Sequence, residues 1–83
     1  MSLKLRNLKK GDFAVIDKIT AENELGRRIR DLGIIKGAEI HIIGEAPLYD
    51  PVAVKVNDNV LTLRNNEADY IYVIRKVDKE WKI

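Results

Sequence analysis

Few residues in this chain can carry covalent or metal chemistry. Ser2 is the single serine, cysteine is absent and His41 is the only histidine. A serine nucleophile needs a positioned base beside it, and a thiol nucleophile, a zinc-thiolate site or a disulfide needs cysteine. His41 has no second His and no Cys with which to complete a ligand set, and strand alternation places it on an outer face. Asp50, Asp58, Glu67 and Asp69 are the acids open to a hard cation, but they lack the spacing of a carboxylate loop such as an EF-hand and read as solvated surface. Gly33 and Gly37 are isolated turn residues, with no glycine-rich run to cradle a phosphate. These residues therefore predict no catalytic group, no cofactor and no metal ligand set.

What the chain offers instead is surface for recognition. Arg27, Arg28 and Arg30 lie close together. Stepping about 100° per residue from Leu25 puts Arg27 and Arg30 on the outer side of a helix, with Arg28 about 60° from its apolar stripe. One reading pairs Glu24 with Arg28 and Arg27 with Asp31 at i, i+4, which are weak surface pairs. The other has Arg27 and Arg30 meeting a phosphate or an acidic partner. Further along, Pro47, Leu48 and Tyr49 form an apolar cluster in a connection restrained by Pro47 and Pro51. Such a loop is cheap to order on binding, although Leu48 could equally cap the end of the sheet. Leu25 and Gly26 could line the opposite wall of a shallow cleft. Proline-rich peptide recognition and single-strand stacking both call for more aromatic surface than five rings provide, although Tyr70 and Tyr72 share a face.

The elements that must position these groups are short. Asp12 to Ile19 reads as a strand, with Ala14 and Ile16 on one face. From Asn23 to Leu32 the period changes: Leu25, Ile29 and Leu32 line one side of a helix, with Asn23 as N-cap and Gly33 as a left-handed stop. A second alternating run carries Ile40 and Ile42 on one face. Val52, Val54 and Val56 form a third, and Asn57-Asp-Asn59 turns it back into Leu61 and Leu63. Asn65 to Asp69 is a short helical turn, and Ile71 and Val73 mark a last strand. The order predicts a mainly β fold with one inserted helix: a small five-stranded SH3-like barrel, its helix between strands one and two.

Length and charge agree with that economy. The 83 residues, 46% hydrophobic and 34% charged, suit one folded domain. So small a fold has little surplus stability with which to hold unpaired charges in a dry pocket, which argues against an enzyme. With 15 Lys+Arg against 13 Asp+Glu the net charge is only +2, too little to favour nucleic acid as a partner. No apolar stretch approaches the ~18 residues of a membrane span, and the basic start lacks the apolar run of a secretion signal. The cytoplasm is the expected address.

Arg28-Ile-Arg-Asp-Leu-Gly33, Lys36-Gly37, Ala46-Pro-Leu-Tyr-Asp-Pro51, Leu61-Thr-Leu-Arg64 and Glu67-Ala68 together resemble the FeoA family, ferrous iron transport protein A, from about Leu5 to Val77. The resemblance implies an SH3-like barrel over residues 1–77, followed by a charged tail at 78–83. It also implies an accessory role in Fe(II) uptake, without catalysis or stable metal binding of its own, through association with FeoB, the iron permease that carries a GTPase domain. On that basis Leu25, Arg27, Arg30, Pro47, Leu48 and Tyr49 are the expected docking residues. Arg28, Gly33, Gly37, Asp50, Pro51 and Arg64 are expected to hold helix and loop against the sheet. The alternative expectation is a regulatory module for a metal-dependent transcriptional repressor, since similar domains occur attached to such proteins. Weak self-association is also compatible with the sequence. Two departures stand out: Tyr49 replaces a glycine usual in the loop, and Asn57-Asp-Asn59 replaces a hairpin turn that commonly contains glycine.

Overall fold

A computed structural model describes residues 2–45 and 51–76. Six strands, β1 (Leu3–Lys4), β2 (Phe13–Ile19), β3 (Glu39–Glu45), β4 (Val52–Val56), β5 (Asn59–Leu63) and β6 (Ile71–Lys76), form one sheet in the order β1-β6-β2-β3-β4-β5. Every pairing is antiparallel. Helix α1 spans Asn23–Asp31 and a single helical turn, α2, spans Asn65–Ala68.

Two expectations need correction. The described residues hold six strands and not five, because Leu3 and Lys4 pair with Val73 and Tyr72 of β6. Two residues are too few to show an alternating pattern, so nothing in the sequence marked them. This extra strand moves the helix: α1 lies between β2 and β3, not between the first and second strands. The sheet is also not closed by hydrogen bonds among the described strands, since β1 and β5 are its two edges.

Alternation explains which side chains fill the interior. Ala14 and Ile16 of β2, Ile40 and Ile42 of β3, Val52, Val54 and Val56 of β4, Leu63 of β5, and Ile71 and Val73 of β6 are all buried. Each strand thus turns one face inward, and burying that face is the main favourable term in folding. Register shifts between Ile16 and Lys18 in β2, and between Ile42 and Gly44 in β3, add an extra residue to one strand of each pair. Bulges of this kind increase local twist and bend a sheet. Side chains from outside the sheet complete the interior: Leu5 and Leu8 from the segment after β1, Ile29 from α1, Ile34 from the following turn and Ala68 from α2.

The helix begins and ends by different means. Its stop is Gly33 at φ 95°, a left-handed position that glycine adopts without penalty. Its start departs from expectation: Glu22 is the N-cap and makes no side-chain capping bond, while Asn23 is the first helical residue, at φ 58°. Asn tolerates that conformation better than most side chains. The carbonyl of Ala21 then lies so close to the helix that a Cβ on Gly26 would sit 2.4 Å from its oxygen.

Candidate functional site

The helix carries the most prominent set of candidate residues. Ile29 anchors α1 in the core, and Leu25 and Leu32 pack against it while partly exposed. Arg27, Arg28 and Arg30 are all exposed. A groove along the helix is lined by Glu24, Leu25, Arg27, Arg28, Asp31 and Leu32, so an apolar floor is flanked by charges of both signs.

The two ion pairs expected within the helix, Glu24–Arg28 and Arg27–Asp31, do not form. Arg28 reaches instead toward Glu67 of α2, at 3.7 Å, although its own side chain remains 71% exposed. Glu67 is only 9% exposed, and a carboxylate in that setting attracts a cation more strongly than one in open water. Among the described residues Arg27 and Arg30 have no ion-pair partner, so their charges remain available to a ligand.

Glu67 was expected to be solvated and is instead a junction. Its Oε1 accepts the backbone N–H of Arg64 at 3.0 Å, while its own N–H is donated to the Arg64 carbonyl at 2.9 Å. This is half of a capping box, because the guanidinium of Arg64 has no acceptor with which to return the second bond. The signal was present in the sequence: a Glu three residues after the residue that opens a helical turn. Through Glu67, Arg28 of the helix and the backbone at Arg64 are held together. The Arg64 side chain itself points outward and is exposed.

Of the remaining positions, Gly37 has φ 92° and donates its N–H to the Ile16 carbonyl at 2.8 Å, joining the turn before β3 to β2. Pro51 is partly buried immediately before β4. Pro47, Leu48, Tyr49 and Asp50 lie outside the described residues, as does the 78–83 tail. His41 is on the outer face, as alternation requires, and stacks on its cross-strand neighbour Phe13 with ring centroids 4.0 Å apart and planes 11° apart. That pairing could have been read only with the strand register in hand. Tyr72 lies beneath the Lys18 ammonium at 5.2 Å, and Tyr70 falls outside the strand. Among the described residues no three of His, Cys, Asp and Glu come together, and no helix is long and apolar enough to cross a membrane.

Fold and surface together define a small, mainly β domain of the SH3-like class. Residues 3–75 match the FeoA domain, and the chain belongs to the FeoA family. It is 34% identical over 71 residues to the Fe(2+) transport protein A/Fe(2+) transporter FeoB fusion protein of Porphyromonas gingivalis. That match takes in 86% of this chain and only 8% of the fusion protein's length. The FeoA protein of Chlorobium tepidum superposes with a TM-score of 0.84 at 40% identity, over 95% of this chain and 75% of that one. The Stenotrophomonas maltophilia FeoA, a prokaryotic SH3 domain protein solved with zinc, superposes at 0.74 with 30% identity, over 88% of each chain. A manganese-dependent transcriptional repressor shares the fold alone, with a TM-score of 0.81 at 17% identity over 90% of this chain and 42% of that one.

Proposed function

We propose that this protein is a non-catalytic accessory module of ferrous iron uptake in the cytoplasm, and that it docks on the cytoplasmic GTPase region of a FeoB-type transporter. The observation that carries this reading is the Porphyromonas gingivalis protein, in which a relative of this domain shares one chain with a FeoB transporter. Covalent linkage holds two modules at high effective concentration. Within this protein, the groove along α1 supports the reading. Leu25 provides an apolar anchor in the groove and Arg27 lines it, while Arg30 is exposed on the same helix outside it; neither arginine has an ion-pair partner among the described residues. Exposed arginines beside an apolar patch are typical of protein interfaces. The sequence segment Pro47, Leu48 and Tyr49 is the second contact expected in this reading.

Titration of the full chain against the isolated cytoplasmic region of the transporter, with GDP and with a GTP analogue, tests the proposal. Binding is expected, and it should weaken about tenfold or more for Arg27→Gln/Arg30→Gln and for Leu48→Glu. Tyr49→Ala is expected to weaken it as well, with the fold intact in each case. Affinity unchanged by all of these variants would count against the docking surface. The shared fold of the manganese-dependent repressor supports a second reading, a regulatory module for a separate metal-dependent repressor. Binding to such a repressor and not to the transporter region would favour it.

A further inference from the structure

Strand β5 is a sheet edge, hydrogen-bonded to β4 on one side only. The hairpin that makes it turns through Asn57 and Asp58, with positive φ at Asn57 alone, the sign pattern of a type II′ turn. The residues flanking such a two-residue turn, Val56 and Asn59, exchange both backbone hydrogen bonds, and the antiparallel ladder then alternates. Asn59, Leu61 and Leu63 therefore spend their backbone groups on β4. The N–H and C=O groups of Val60 and Thr62 face the open edge. Val60 is 63% exposed and Thr62 is exposed as well. Edge strands are commonly protected by lysine, proline or a bulge. From Asn59 to Leu63 there is neither charge nor proline, and the β4–β5 register is regular throughout.

We propose that this edge pairs with the same edge of a second copy, giving a two-fold symmetric dimer with a continuous antiparallel sheet. The register follows from the chain itself. If Leu61 sits on the two-fold axis, Val60 lies opposite Thr62 of the second copy and Thr62 opposite its Val60. These are the residues whose free backbone groups must exchange hydrogen bonds. Two residues further out on each side, just beyond the strand, Asp58 of the hairpin turn falls opposite Arg64 of the second copy, so a carboxylate faces a guanidinium past both ends of the ladder. Both residues are exposed, and neither side chain has an ion-pair partner among the described residues. A self-complementary patch of this kind is what an isologous interface requires, and β-branched and opposite-charge cross-strand pairs favour it. The groove along α1 and strand β5 share no residue.

Sedimentation velocity of the full chain across a concentration series at low and physiological salt tests the inference. A concentration-dependent dimer is expected, weaker at higher salt because its end pairs are exposed. Asp58→Lys and Arg64→Glu should each raise the dimer Kd about tenfold, and the double variant should restore it, since the charges are then exchanged and not lost. Thr62→Pro removes an N–H that β4 does not use and should abolish the dimer while leaving the monomer folded. A monomer at every concentration would overturn the proposal, leaving the edge to a strand from another protein. So would a dimer indifferent to Thr62→Pro, or a double charge variant no better than the single ones.

Discussion

Gly26 and Glu67 are the positions where a single side chain decides most about the helix and its surroundings. At Gly26 even one methyl group has no room: its carbon would meet the Ala21 carbonyl oxygen at 2.4 Å and the carbonyl carbon at 3.0 Å. Backbone cannot swing aside as a flexible side chain can. Gly26→Ala should therefore lower stability by about 1–3 kcal/mol, measurable as a drop in the urea midpoint. Removing the Glu67 carboxylate leaves the Arg64 N–H without its acceptor. Glu67→Ala should cost about 1–2 kcal/mol, while Glu67→Gln, which keeps an acceptor oxygen, should cost less. Arg28→Ala is a useful contrast. Its guanidinium is 71% exposed and 3.7 Å from the carboxylate, so its loss should change stability by less than about 1 kcal/mol. Parallel denaturation curves for the three variants would show whether the cap or the ion pair holds α2.

Among the elements, the β4–β5 hairpin and helix α1 owe their ends to left-handed residues. Asn57 opens the hairpin turn at φ 56°, where a Cβ is tolerated at a cost and glycine is at ease. Asn57→Ala should lose about 1 kcal/mol and Asn57→Gly should lose nothing, as read by thermal unfolding. Helix α1 is too short to persist on its own and depends on Ile29, which is fully buried. Ile29→Ala should destabilise the protein by about 2–5 kcal/mol. It should weaken transporter binding only through loss of fold, a distinction that circular dichroism alongside the binding titration can make.

Taken as a molecule, the protein divides its surface between two uses. The α1 groove supplies exposed arginines around an apolar floor, and the β5 edge supplies free backbone groups on an uncharged strand. Because Arg27 and Arg30 are exposed on α1 and belong neither to β5 nor to the residues flanking it, neutralising them should leave both stability and self-association unchanged within about 0.5 kcal/mol, while lowering affinity for the transporter region. Sedimentation and titration of that one double variant separate the two surfaces.

The long strands, the helix, the hairpin turn and the glycine stop were all legible in the sequence, because each is set by local preferences: period two in β2 to β6, period 3.6 in α1, and left-handed tolerance at Asn57 and Gly33. The scarcity of nucleophiles and metal ligands was equally plain from residue types alone. Other features were decided by contacts between residues far apart in the chain. Leu3 and Lys4 became a strand only because β6 offered them partners. Glu67 was buried only because the fold packs α2 against distant parts of the chain. Phe13 met His41 only through the β2–β3 register. Gly26 had to be glycine only because the chain brings the Ala21 carbonyl over it. Residue types and spacing report the conformation a segment prefers. The tertiary fold alone settles which distant groups share a volume and which edge of the sheet is left without a neighbour.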